Sequence, residues 1–216
     1  MMVAILSDIH ANLPALERFV QCTKQTADAY ICLGDVVNYG PWNDECLELI
    51  CSLPGVVLLE GNHERLFLGV DLIEDQTSLV QEFFTHSIRS FCRRDLIFGL
   101  PTSYELGQFV CTHTINNKKI YADTAVEVTR NYMIGHTHRQ FRIERSGKVI
   151  VNCGSIGQNR AGIEMLNYAL YDTCTYNLTL HQEPYPLDQL VNEFVARGYS
   201  RRCVDYYLGK RRGVSA

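Results

Sequence analysis

Five of the seven histidines lie in short motifs built around Asp, Asn and Gly. They read Ser7-Asp8-Ile9-His10, Gly34-Asp35, Gly61-Asn62-His63-Glu64, Thr112-His113 and Gly135-His136-Thr137-His138. Imidazole nitrogens with carboxylate and amide oxygens, and no thiolate, suit manganese, iron, cobalt, nickel or zinc better than calcium. In an extended segment residues i and i+2 point the same way, about 7 Å apart. Asp8/His10 and His136/His138 are therefore each expected to present a pair of donors. Asp35 and Asn62 each follow a glycine that lets the chain turn, and His113 ends an apolar run. Two ions about 3.5–4 Å apart would clamp an in-line displacement at phosphorus. With a bound hydroxide, two dications against Asp8 and Asp35 still leave local positive charge. Such a site attracts a phosphate ester although the chain's formal charge is -4.

The elements that must position these donors alternate. Short apolar runs at Val3–Leu6, Tyr30–Leu33 and Val56–Leu59 read as buried strands. Between and after them, Leu13–Thr23, Asn43–Leu53 and Thr77–Phe91 carry apolar residues at helical spacing. Strands are then expected at Phe109–Cys111 and Tyr132–Ile134. Hairpins follow, at Gln140–Glu144 with Lys148–Asn152 about Ser146-Gly147, and at Leu166–Asp172 with Tyr176–His181. Two short amphipathic helices close the chain, Leu187–Arg197 and Ser200–Lys210, with Lys210-Arg211-Arg212 as a solvated end. Helix-linked strands followed by hairpins suggest two packed sheets with helices outside, an α/β fold in one domain spanning 1–216.

Composition excludes several classes. The 46% hydrophobic and 20% charged content supports a packed core rather than disorder. The acidic balance gives no overall field for stable nucleic-acid binding or for anionic membranes. No run approaches a membrane span, and Met1–Leu6 is too short for a secretory core, so a cytoplasmic location is expected. Nine scattered cysteines without a CxxC pair read as mostly buried, reduced thiols. The sequence permits a homo-oligomer.

The motifs D-x-H, G-D, G-N-H-E, H and G-H-T-H, in this order from Asp8 to His138, resemble the calcineurin-like metallophosphoesterase superfamily. The segments Gly34–Pro41 and Asn152–Gln158, with the C-terminal helix pair at about 187–212, are similar to its branch of small single-domain bacterial and archaeal phosphodiesterases. The resemblance implies a four-layer α/β/β/α sandwich of two mixed sheets flanked by helices. It implies that Asp8, His10 and His138 bind a first metal, that Asn62, His113 and His136 bind a second, and that Asp35 bridges them. His63 would be the acid that protonates the leaving oxygen, a role an imidazole suits. The implied activity is phosphodiester hydrolysis by a metal-bound hydroxide, with two divalent ions, manganese favoured. The alternatives are a protein serine/threonine or dinucleoside-polyphosphate phosphatase, and a scaffold of the same fold without activity. The phosphatases usually carry G-D-x-x-D-R-G, where this chain has Asn38-Tyr39-Gly40, so their Arg clamp is missing. The related branch often has His-Gly where this chain has His113-Thr114, which bears on pocket shape.

Four further residues are candidates for substrate contact. Arg65, Arg139 and Arg160 lie beside or shortly after motifs, placed either to grip phosphate oxygens or to face solvent. Tyr39 is expected either to stack on a base or to pack in its loop. His86 and His181 read as structural, and the aromatic stretch Phe83–Phe91 as core, with a lid over the site as its alternative.

Overall fold

The computed structural model describes residues 1–211. Strands β1 (Met2–Leu6), β2 (Ala29–Cys32) and β3 (Val57–Leu58) run parallel, with Ala4 opposite Tyr30 and Cys32 opposite Leu58. The hairpin of β9 (Met165–Asp172) and β10 (Leu178–Pro184) adds antiparallel to β1, giving the order β10-β9-β1-β2-β3. A second sheet has the order β4-β5-β6-β8-β7, from Ser103–Leu106, Phe109–Thr112, Asn131–Ile134, Lys148–Asn152 and Phe141–Arg145 respectively. Both sheets are mixed, as expected.

Alternation along the strands sorts the residues into layers. Val3, Ile5, Ile31, Met133, Val151 and Tyr171 face inward between the sheets. Ala4, Leu6, Tyr30 and Cys32 face outward from the first sheet and meet the helices. These are α1 (Leu13–Thr23), α2 (Asn43–Cys51), α3 (Asn62–Leu68), α4 (Ser78–Ser87), α5 (Arg94–Ile97), α6 (Leu187–Ala196) and α7 (Arg201–Leu208). The outer face of the second sheet is covered by Ile115, Ile120 and Val128, from the irregular β5–β6 connection. The cysteines Cys111 and Cys153 are buried between the sheets, and burial raises both thiols. No helix among the described residues is long and apolar enough to cross a membrane.

Helix α1 has the expected bounds because Asn12 caps it, its side chain accepting from Ala15 N, and Pro14 occupies a first-turn position that needs no donor. Ser146 and Gly147 both take positive φ, at 51° and 71°, as the turn between β7 and β8 requires. Helix α3 and strand β4 were not expected. Asn62–Leu68 is short, and its apolar residues follow a polar start. Ser103–Leu106 is exposed at three of four positions and so lacks alternation. The aromatic stretch is core rather than lid: α4 stops at Ser87, Phe83 is fully buried, and Phe91 closes on Phe67 at 5.0 Å. His86 stacks on Tyr199 and His181 on Tyr168, both structural contacts. The tail differs from expectation. Lys210 lies over the Tyr206 ring at 3.4 Å instead of in solvent, and Arg211 pairs with Asp188. Arg212 lies outside the described residues.

Candidate metal centre

All the motif donors meet at one end of the sandwich, where β1, β2, β3, β5 and β6 deliver their C-terminal turns. The extended geometry expected for the paired donors does not hold. Asp8, His10, Asp35, His136 and His138 take left-handed φ of 55°, 50°, 58°, 67° and 57°. Left-handed turns cost a non-glycine residue about 1–2 kcal/mol each, so surrounding bonds must impose them. They do: Asp8 N donates to Gly34 O at 3.0 Å, His10 N to Asp35 O at 3.0 Å, and Ala11 N to Val36 O at 2.7 Å. These zip the turn after β1 to the turn after β2. Gly157 N then donates to Asp8 O at 3.1 Å from the other side.

Gly34 and Gly61 cross where the turns after β2 and β3 touch. A Cβ on Gly34, whose φ is 104°, would lie 2.5 Å from Gly61 N. Gly61 has an ordinary φ of -101° and is needed for close approach instead, since its Cβ would meet Asp35 Oδ1 at 2.2 Å. Glu64, which the motif reading left without a role, binds the crossing together. Its buried carboxylate accepts N–H groups from Asp35, Val36 and Gly61 at 2.8 Å each and from Val37 at 3.3 Å. Burial and the Asp35 charge push it up to about 7, with the backbone donors of Asp35 and Gly61 acting the other way.

Each site carboxylate spends one oxygen on the backbone. Asp8 Oδ2 accepts from His136 N and Asp35 Oδ1 from His63 N, both at 2.9 Å. The other oxygens face imidazoles. Asp8 Oδ1, buried and without a hydrogen bond among the described residues, lies 3.1 Å from His138 Nε2 and 3.8 Å from His10 Nε2. Asp35 Oδ2 lies 3.2 Å from His113 Nε2 and 4.0 Å from His10 Nε2. Two donor groups result, Asp8, His10, Asp35 and His138 in one and Asp35, His113 and His136 in the other, each within 4.8 Å. Asp35 belongs to both. Asn62 joins the second group, its Oδ1 lying 2.9 Å from His136 Nδ1 and 3.1 Å from His113 Nε2.

The tautomers show what these groups fit. Nδ1 of His10, His113 and His138 faces the backbone carbonyls of Val37, Leu33 and Gln158 at 3.3, 3.0 and 3.0 Å. A carbonyl only accepts, so Nδ1 carries a proton in each ring, and Nε2 presents a lone pair wherever the ring is neutral. The lone pairs of His10 and His138 then face each other at 3.1 Å. Crowded electron pairs with nothing between them fit a cation, and the field acts the same way. Burial opposes charge on His113, yet Asp35 outweighs it and pushes the ring up to about 9. Burial dominates at His10, held well below its usual range, and at His136, brought down to about 4. These buried Asp and His groups are positioned for a metal site.

His63 stands apart from both donor groups. It lies beside Asn62 in the first turn of α3, not in an extended segment, so the two side chains diverge by about 100° rather than pointing oppositely. Its Nε2 is 3.9 Å from Asp35 Oδ2. Its Nδ1 is 2.9 Å from Asn38 Nδ2, and the amide orientation is set because Asn38 Oδ1 accepts from Tyr39 N at 2.7 Å. Nδ1 is therefore an acceptor, the ring proton sits on Nε2, and burial lowers the pKa.

The other candidates part company. Tyr39 is 5% exposed, its ring held among His10, His63, Phe83 and Tyr206, so it packs and has no free face for a base. Arg65 lines a cleft of about 600 Å³ with Asn62, His113 and His136, but its guanidinium is gripped by Asp71 at 2.9 and 2.7 Å and approached by Glu60. Arg139 lines a separate cavity of about 710 Å³ with Tyr121, Phe141 and Asn159. Arg160 donates from its backbone N to His138 O at 3.2 Å, and its charge lowers the Tyr206 phenol against the effect of burial. Thr114 lines the cleft beside His113.

Comparison with known proteins agrees with this geometry. Residues 1–176 match the model of the calcineurin-like phosphoesterase superfamily domain. An uncharacterised protein of Methanocaldococcus jannaschii is 26% identical, over 90% of this chain and 92% of its own length. The crystal structure of a metallophosphoesterase from Sphaerobacter thermophilus superposes with a TM-score of 0.77 at 23% identity, covering 96% of this chain and 98% of the other. A hypothetical protein from Pyrococcus horikoshii superposes with 0.79 at 16% identity, covering 95% and 97%.

Proposed function

The chain belongs to the calcineurin-like phosphoesterase superfamily, and from that membership and the geometry above we propose that it hydrolyses phosphodiesters using two bound divalent ions. The observation that carries this reading is Asp35, the one residue among those described that belongs to both donor groups, with its Oδ2 facing His10 and His113. In it, Asp8, His10 and His138 hold the first ion, Asn62, His113 and His136 the second, and Asp35 bridges. Bound divalent ions, manganese favoured, would supply Lewis acidity and would lower the pKa of a water so that a hydroxide nucleophile is available near neutral pH. The chain's residues do the rest. Backbone carbonyls fix three imidazole tautomers, and Glu64 holds the turn that carries Asp35. His63 presents Nε2–H beside Asp35 Oδ2, on the side from which a leaving oxygen would be protonated. Because Asn38 donates to Nδ1, the charged ring that such an acid needs is disfavoured near neutral pH.

Preference for diesters over monoesters follows from charge. A monoester brings an extra negative charge to the scissile phosphate itself. In the cleft beside Asn62, His113 and His136, Arg65 is already neutralised by Asp71 and Glu60. Asn38 and Tyr39 stand where the phosphatase relatives place Asp-Arg, and both are occupied by internal contacts. The test is turnover of matched aryl diester and monoester by manganese-loaded protein. A higher kcat/KM for the diester is expected. A tenfold preference for the monoester would replace this reading with the phosphatase one, and no turnover of either would remove the hydrolase reading.

A further inference from the structure

The family match ends at residue 176, yet helix α7 reaches back to the metal centre. Gln158, whose backbone carbonyl faces His138 Nδ1, accepts from the Tyr206 hydroxyl at 3.2 Å and donates to that of Tyr207 at 3.4 Å. The Tyr206 ring lies nearly parallel to Tyr39, at 21° and 6.3 Å, and Tyr39 packs on His10 at 4.8 Å and on His63 at 5.3 Å. So Tyr206 stands one ring away from the reaction centre. Two cations converge on it. Lys210 Nζ lies over its face at 3.4 Å, and the charge of Arg160 acts on its phenol, lowering it against the effect of burial. Arg160 Nε is buried and has no hydrogen-bond partner among the described residues. The charge acting on Lys210 is that of Arg160, which is like in sign. Burial and that repulsion bring Lys210 down to about 8, where an exposed lysine would avoid both. Other cations pair with carboxylates: Arg65 has Asp71, Arg202 has Glu82 and Arg211 has Asp188. Like charges brought together and half-buried on one aromatic ring are stable with an anion between them.

We propose that Arg160, Lys210 and Tyr206 form a subsite for a phosphate-type oxyanion carried by the substrate away from the scissile phosphorus. The proposal rests on the phosphoesterase reading and narrows it to esters that bear a second anionic group, with the C-terminal helix as the specificity element. Lys210 supplies a point charge, Arg160 its planar donors, and the Tyr206 ring an apolar floor.

The probe is inorganic pyrophosphate, titrated calorimetrically into metal-depleted full-length protein. Lys210→Met keeps the stem packed on Tyr206 and removes only the charge. It is expected to weaken binding about tenfold or more, the factor carried by one charge-assisted contact. Arg160→Met should do the same. Arg202→Met, which removes an exposed cation paired with Glu82, serves as the control for net charge. Pyrophosphate binding that is absent, or equal in wild type, Lys210→Met and Arg160→Met, would overturn the subsite; in the latter case the anion sits on the histidine cluster. Thermal melts identify any variant that fails to fold, and Lys210 near the chain end gives the independent reading if Arg160→Met does. Because no turnover is measured, failure here is separate from failure of the hydrolase reading, which the manganese-loaded diester assay tests.

Discussion

Replacing Asn38 by Asp reverses the polarity of one hydrogen bond and leaves the rest of the loop in place. Asn38 has φ 72°, a left-handed conformation that Asp also tolerates. An Asp oxygen can still accept from Tyr39 N, as Asn38 Oδ1 does at 2.7 Å, and Asn38 N still donates to Asn43 Oδ1. The second oxygen replaces the amide nitrogen that lies 2.9 Å from His63 Nδ1. In the wild type that amide donates, so Nδ1 cannot carry a proton and the imidazolium is disfavoured. Burial acts in the same direction, and the ring lies below its ordinary value of 6.5. In the variant the carboxylate accepts from Nδ1–H and adds a negative charge at contact distance. An opposite charge this close raises a histidine pKa by about 1–3 units, or roughly 1.4–4 kcal/mol between protonation states. The sign for catalysis follows. If His63 acts as the acid, its active form is protonated, so activity falls as pH rises through its pKa. That descending limb should move upward by at least about one unit in Asn38→Asp. The shift should be larger for an alkyl diester than for a nitrophenyl one, because a poor leaving oxygen needs the proton and a good one departs without it. The assay is kcat/KM against pH for both substrates with saturating manganese. A limb at the same pH in wild type and variant, or equal shifts for both leaving groups, would refute the assignment of His63 as the acid and leave it a positioning residue.

Three further outcomes are expected. Glu64→Gln leaves amide hydrogens facing two of the four N–H groups, and losing two charge-assisted bonds should cost roughly 3–6 kcal/mol, read as a lower urea midpoint at unchanged m-value. Asp35→Asn should lose more turnover than His138→Ala and should lower metal content measured by elemental analysis, since Asp35 alone faces both donor groups; near-normal metal and turnover would end the bridging role. Gly157→Ala would put a Cβ 1.8 Å from Ile9 O, and the forced backbone shift should destabilise the protein by about 3 kcal/mol, with looser metal binding through the Gly157–Asp8 contact. Unchanged melting of that variant would mean that the turn yields freely.

Much of the donor set was legible because chemistry restricts residue type. Only His, Asp and Asn in these motifs supply borderline-metal donors without thiolates, and apolar period told strand from helix around them. Most strands, the helix α1 bounds and the turn at Ser146-Gly147 followed from local rules. What the tertiary structure decided depends on contacts between segments distant in the chain. No local pattern announces that Asp8, His10, Asp35, His136 and His138 all turn left-handed, because each turn is imposed by hydrogen bonds from another loop. The same holds for Glu64, whose partners lie mostly 27 to 29 positions away. His63 and Asn62 diverge because α3 begins between Gly61 and Asn62, a boundary set by the crossing with Gly34. Arg65 and Arg160 look alike beside their motifs in the sequence; only folding brings Asp71 to the first, and a second cation on a shared tyrosine ring to the other. Residue type determines which atoms can bind a metal or an anion, since that is a property of the side chain. Protonation, pairing and direction are properties of neighbours, and long-range packing chooses the neighbours.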